Sequence, residues 1–232
     1  MTSYNAVKRP GHVVVFSGGT PPHPDAMSIV GEFSSAVAAD SGFDHALALG
    51  VTPSVLVGDL DSISPAGLAV ANESPDVRID KHPANKDFTD LELALQIAVG
   101  SGAERVTVVD GGAGRLDHLL ANIAQLTGPL LAAVAVRAVV GPAEVVVIRS
   151  AAALHGRVGE ILSLLAFGDP VTGITTSGLS YPLTNGTLLP GESRGVSNTF
   201  AASEASVTIG AGVLVAIRPD ALAQSGDVQL QH

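Results

Sequence analysis

Asp59 and Asp61 stand one residue apart at the end of an apolar run, SVLVGDLDS over residues 54–62. Residues two apart on an extended strand point to the same side, about 6–7 Å from each other. Two carboxylates so placed repel, and a divalent cation turns the repulsion into attraction by taking oxygen ligands from both. Their place adds to the argument, because ligands of open α/β sheets bind just beyond the carboxyl ends of the strands. The same residues fit an Asp-capped turn equally well, with Ser62 or Ser64 opening a helix. The choice depends on what the rest of the chain brings to that edge.

Strand and helix patterns alternate around the pair. HVVVF at 12–16 reads as a buried strand, followed by Gly18-Gly19. Two glycines there let backbone approach a ligand, or simply form a loop before Pro21-Pro22. A helix over 24–33, a strand over 35–39 ending in Asp40-Ser41-Gly42, and a helix over 43–49 come next. After the aspartate pair, Ser64-Pro65 has the N-cap and first-turn proline of a helix, and a strand follows at 77–80. Thr89 and Glu92 have capping-box spacing, and Leu91, Ala94, Leu95 and Ala98 share one helical face. Asp90 then lies in the first turn, with Lys86 and Asp87 in the loop before it. A strand over 105–109 runs into DGGAGRLDH (110–118) and a helix over 116–126. Strands over 135–140 and 145–148 flank the turn Gly141-Pro142.

This alternation predicts an α/β fold, a mostly parallel sheet flanked by helices. Asp40, Asp59, Asp61, Asp87, Asp90, Asp110 and Asp117 all follow strands, and such loops share one sheet edge. From about residue 150 the pattern changes. Short strand candidates at 160–166, 171–176, 205–209 and 213–217 are punctuated by Gly, Pro and Asn, with no long helix between them. They predict a smaller all-β domain, sandwich or barrel-like, and a division into residues 1–150 and 151–232. Its densest polar stretch is SRGVSNTF at 193–200, which on its own reads as a turn-rich loop.

Composition narrows the chemistry. The net charge of −10 and the lack of a Lys/Arg block argue against nucleic acid as a partner, since such binding rests on neutralising phosphates. With no cysteine, thiolate catalysis, disulfides and Cys-based zinc sites are excluded. The most apolar stretch, 130–140, is short and holds Arg137, whereas a spanning helix needs about 20 apolar residues. The N-terminal residues lack the apolar core of a signal peptide. The expectation is a soluble cytoplasmic protein with no membrane partner.

The motifs, taken in order, resemble the thiamine pyrophosphokinase family. They are ADSG at 39–42, GDLDS at 58–62, KDFTDLELAL at 86–95 and GAGRLDH at 112–118, then GLSYPL at 178–183, NGTL after it, and GVSN at 195–198. The family more often has Asp-Gly-Gly where this chain has Asp40-Ser41-Gly42. The resemblance implies a catalytic α/β domain joined to a β-rich thiamine-binding domain. It implies a homodimer with thiamine near the subunit interface. It also implies magnesium-dependent transfer of the terminal pyrophosphoryl group of ATP to the thiamine hydroxyl, releasing AMP.

Pyrophosphoryl transfer needs charge neutralisation and positioning more than covalent help. Under that resemblance Asp59, Asp61 and Asp90 become the metal ligands, with Asp40 close by. Asp40, Lys86, Asp87, Thr89, Gly111, Gly112 and Arg115 become ATP contacts. Arg115 suits phosphate oxygens, the glycines allow close approach, and Asp117 completes the acidic cluster, either through water to the metal or by holding Arg115. Asp61 or Asp90 is open as acceptor of the alcohol proton, as is metal polarisation without a base. His118 reads first as a helix-start residue. Ser197 and Asn198 are expected on the thiamine pyrimidine, with Tyr181 or Phe200 as the available aromatics.

Three other readings compete. A haloacid-dehalogenase-type phosphatase also carries a DxD pair, but after its first strand, whereas this pair follows the third, and the Lys86 and Arg115 motifs go unexplained. A non-catalytic nucleotide or thiamine-binding relative would not need so many carboxylates. The same transfer to a different small alcohol fits every residue named.

Overall fold

A computed structural model describes residues 11–85 and 87–223. The chain divides into two compact units, 1–141 and 142–232. The first holds β1 (His12–Phe16), α1 (Ala26–Val30), β2 (Ser35–Ala39), α2 (Gly42–Ala48), β3 (Val55–Gly58) and α3 (Pro65–Glu73). It continues with β4 (Arg78–Lys81), α4 (Asp90–Gly100), β5 (Arg105–Asp110), α5 (Leu116–Thr127) and β6 (Ala135–Val140).

Its strands form a parallel sheet in the order β4-β3-β2-β1-β5-β6. The next three strands, β2 to β4, step outward on one side of β1, and β5 and β6 lie on the other. The order therefore reverses between β1 and β5, the place where such sheets open a crevice for ligands. To reach β5 from β4 the chain must cross back over β3, β2 and β1, and α4 makes that crossing. Leu91, Leu93, Ala94, Leu95 and Ala98 of α4 are accordingly buried. β1 and β2 are buried along nearly their whole length, as strands covered on both faces must be.

Local signals set the helix starts. Ser64 accepts the Gly67 N–H at 2.9 Å with Pro65 in the first turn. The Thr89 hydroxyl accepts the Glu92 N–H at 3.1 Å. The helix expected over 24–33 is only Ala26–Val30, because Gly31 turns left-handed (φ 67) and ends it.

The second unit holds β7 (Ala143–Ile148), β8 (Ala151–His155), β9 (Ile161–Ser177), β10 (Gly186–Leu188), β11 (Asn198–Thr199), β12 (Glu204–Thr208) and β13 (Ala211–Arg218). Neighbours are antiparallel in the order β7-β13-β9-β12-β8, with β10 and β11 also on β9. The strands expected over 160–166 and 171–176 are one long strand. β9 pairs β13 through Ser163–Phe167 and β12 through Thr175–Ser177, bending at Gly168 (φ 72). A strand that passes between two pairings in this way makes the corner of a folded-over sheet. Leu162, Leu164, Ile174, Leu188, Phe200 and Leu214 pack its core. The boundary expected after residue 150 falls at Gly141/Pro142 instead. β7 pairs with β13 from Glu144 to Ile148, which places it in the second unit.

Candidate active site

The carboxylates converge through a turn rather than through strand alternation. β3 ends at Gly58, and Asp59–Asp61 lie beyond it. Leu60 is left-handed (φ 68), and the Asp61 N–H donates to Asp59 Oδ1 at 3.2 Å. The strand expectation for the pair therefore fails, and its capped-turn alternative holds. From the end of β2, Asp40 reaches the same point, also left-handed (φ 50). One carboxylate oxygen from each of Asp40, Asp59 and Asp61 lies within 4.8 Å of the others.

Asp40 is the buried member of the three, 5% exposed. Its Oδ1 accepts the Leu60 N–H at 2.9 Å and its Oδ2 accepts the Ser62 hydroxyl at 3.1 Å. Burial and the neighbouring Asp90 and Asp59 carboxylates push its pKa up to about 6, against the pull of those two hydrogen bonds. Asp90, expected as a metal ligand, stands at the edge of this group. Its Oδ1 and that of Asp40 each lie 3.0 Å from the point where a side chain on Gly58 would begin. Gly58 (φ 146) is thus required twice, by its backbone and by the two carboxylates against it.

The group opens into a cleft of about 550 Å³ at the carboxyl edge of the sheet. Ser17–Thr20 after β1, Thr89 and Asp90 of α4, and Asp110 at the end of β5 line it, with Arg115, His118 and Asn122 from the α5 side. Arg115 grips Asp117 through two bonds, 3.2 and 2.6 Å, on the exposed surface. That bond holds the Asp117 carboxyl below its usual value. Of the two places expected for Asp117, the structure gives the one beside Arg115, away from the three-carboxylate group.

Other expected contacts are placed differently. A side chain on Gly111 would run into the backbone of Thr20, and one on Gly112 would meet Val140 and Gly141. The close approach these glycines permit is therefore to the protein's own chain. Asp87 is exposed and outside the cleft lining. Lys86 lies outside the described residues. Ser41 adopts an ordinary helical conformation (φ −59) and its hydroxyl accepts the Gly19 N–H at 3.1 Å. No second glycine is needed at 41, whereas a side chain on Gly42 would strike the Phe16 carbonyl.

Residues 27–137 match the model of the thiamin pyrophosphokinase catalytic domain, and residues 148–214 match that of the thiamin pyrophosphokinase vitamin B1 binding domain. The chain belongs to the thiamin pyrophosphokinase family. It is 25% identical over 204 residues to the thiamine pyrophosphokinase of Bacillus subtilis (strain 168), covering 84% of this chain and 92% of that one. The crystal structure of a Bacillus subtilis thiamine pyrophosphokinase superposes with a TM-score of 0.78 at 24% identity, over 89% of this chain and 98% of that chain. A family protein from Enterococcus faecalis superposes with a TM-score of 0.71 at 28% identity, over 89% and 97%.

Within the family's vitamin-binding part, Ser197 is exposed and left-handed (φ 58), its N–H donating to the Ser163 hydroxyl at 3.1 Å. Asn198 is buried and committed to the backbone. Its Oδ1 accepts the N–H groups of Tyr181 (3.0 Å) and Thr199 (2.8 Å), and its Nδ2 donates to the Tyr181 carbonyl at 2.8 Å. It clamps the Tyr181 segment to β11, which leaves little of its amide for the pyrimidine contact expected of it. Phe200, 1% exposed, belongs to the core. Tyr181 is the exposed aromatic of the two.

Sequence reading passed over Ser17 and Asn122, and took Ser62 only as a helix start. Each acts by bonding an aspartate, Ser62 to Asp40 and the other two to Asp110. A hydroxyl or amide beside a strand end carries no periodic signal that would single it out.

Proposed function

We propose that the protein transfers the pyrophosphoryl group of ATP to the hydroxyl of thiamine, giving thiamine diphosphate and AMP, with magnesium held by Asp40, Asp59 and Asp61. One observation carries the reading. Three carboxylates from two adjacent strand ends converge within 4.8 Å at the mouth of a cleft, in a chain whose two parts match the two domains of one kinase family. The donor set fits the metal. Three hard oxygen donors suit magnesium, and the burial and neighbouring carboxylates that raise the Asp40 pKa disfavour a charge that a divalent cation would stabilise. Bound there, magnesium would neutralise polyphosphate oxygens.

The chain's own residues do the positioning. Arg115 lines the cleft and, with Nε and one Nη engaged by Asp117, has its remaining N–H groups for phosphate oxygens. Thr89 brings the first turn of α4 and its N–H groups to the same space. Ser62 and the Leu60 N–H orient Asp40 so that an oxygen faces the pair. Asp61, the exposed member of the cluster, stands where an alcohol proton can be accepted. Thiamine is delivered by the vitamin-binding part, where Tyr181 offers a ring face.

The reading extends to a homodimer in the cytoplasm. Val158, Tyr181, Leu189 and Val196 leave apolar side chains exposed. No helix among the described residues is long and apolar enough to cross a membrane. Incubation with ATP, thiamine and magnesium, followed by product separation, tests the reaction. AMP and thiamine diphosphate are expected. ADP with thiamine monophosphate would overturn the pyrophosphoryl step, and undiminished turnover in excess chelator would overturn the metal.

A further inference from the structure

Asp110 lines the cleft but does not join the carboxylate group. It ends β5, is 7% exposed, and spends both oxygens on donors of this chain. Its Oδ2 accepts the Ser17 hydroxyl at 2.6 Å and the Asn122 side-chain amide at 3.0 Å. Its Oδ1 accepts the Gly112 N–H at 2.7 Å. The three donors come from three segments: the end of β1, the middle of α5, and the turn leading into α5. A buried carboxylate stripped of such bonds is costly, so each segment is fixed against the other two.

α5 is held to the cleft partly through this anchor. Its first turn is exposed and Leu126, near its end, is its one buried side chain, where α4 buries five. Among the described residues, side-chain bonds tie α5 to the rest of the cleft from Asn122 to Asp110 and from Gln125 to Thr89 at 3.1 Å. The Asn122 bond lies closer to the first turn. Asn122 sits one turn from His118 and two from Arg115, so all three share the face toward the cleft.

We propose that Asp110 is a positioning residue for nucleotide binding. By holding Ser17 on one side and Asn122 on the other, it sets the width between the loop after β1 and the first turn of α5. That width puts Arg115 where a phosphate oxygen arrives. The inference rests on the phosphate role of Arg115 proposed above.

Calorimetric titration with Mg·ATP in the absence of thiamine, together with steady-state kinetics, tests it on Asp110→Ala, Asn122→Ala and Arg115→Ala, and on each of the first two combined with the third. Arg115→Ala should weaken ATP at least about tenfold, the effect of losing a charge-assisted pair. Asp110→Ala and Asn122→Ala should each raise the Kd and KM for ATP about five- to tenfold, with kcat and the KM for thiamine within about twofold. With Arg115 already gone, neither should add more than about twofold, because no guanidinium remains to be placed. A lowered melting temperature and kcat with an unchanged KM for ATP would mean a merely structural role and overturn the proposal. So would full additivity with Arg115→Ala. If Asp110→Ala does not fold, Asn122→Ala, which leaves Asp110 two of its three partners, carries the same expectation. Normal ATP binding by Arg115→Ala would overturn the phosphate reading and this inference with it. A weakened Arg115→Ala beside unaffected Asp110→Ala and Asn122→Ala would overturn the positioning role alone.

Discussion

Asp59 and Asp61 differ from ordinary surface aspartates in having a third carboxylate locked against them. Removing one charge from such a set removes an electrostatic contact aimed at the reacting phosphates. Asp59→Asn and Asp61→Asn should each lower kcat by at least about 10²-fold, measured at saturating ATP and thiamine over a magnesium series. Rates near normal in both would dismiss the metal assignment. Asp40 supplies a second, independent readout. Its folded pKa, about 6, stands above its ordinary 3.8, so the native state binds the extra proton in between. The associated stability is fully present below about 3.8 and is lost as pH rises through 6. It amounts to roughly 3 kcal/mol at most. Metal-free protein should therefore melt several degrees lower at pH 7 than at pH 5. Added magnesium should recover most of that loss at pH 7 and little at pH 5, because metal and proton compete for one carboxylate. Thermal scans at both pH values check this, and Asp40→Asn should flatten the dependence.

Among the elements, those with one physical cause were legible in the sequence. α4 announced itself through its cap and apolar spacing, and the strands of the parallel sheet through continuous apolar runs. Elements whose limits come from pairing were not. β9 reads as two strands because Gly168-Asp169-Pro170 looks like a break, yet β13 and β12 hold it extended on both sides of the bend. β8 has no signal beyond three alanines and a leucine, and only its pairing with β12 makes it a strand. Asn198 shows the same limit at a smaller scale, since its type fits a ligand contact and a backbone clamp alike. Asn198→Ala would strand two N–H groups and a carbonyl in a mostly buried site. It should cost about 1–3 kcal/mol, seen as a lower urea midpoint. A larger effect on the KM for thiamine than on stability would restore the direct contact.

Across the whole molecule, the acidic edge of the sheet was readable because every aspartate in question follows a strand. What pairs with what inside that edge was not, since Asp40–Ser62 and Asp110–Asn122 join residues far apart in the chain. The second unit hides a further long-range set. Arg218 bonds Glu144 at 2.6 Å and Glu160 at 2.8 Å, with all three side chains largely buried. Arg218→Met takes away the cation shared by two buried carboxylates and should cost about 3–5 kcal/mol, read from the urea midpoint. Adding Glu144→Gln and Glu160→Gln should recover part of it, and no recovery would show that the guanidinium acts by packing alone. Leu60, finally, bears on how such a protein can change over generations. A leucine held at φ 68 sacrifices about 1 kcal/mol to keep two aspartates turned toward a third, and asparagine, with its tolerance of that conformation, would relieve it. A population selected for heat resistance alone would drift toward asparagine at 60, while one selected for growth on scarce vitamin would keep whichever residue best holds the spacing of the pair.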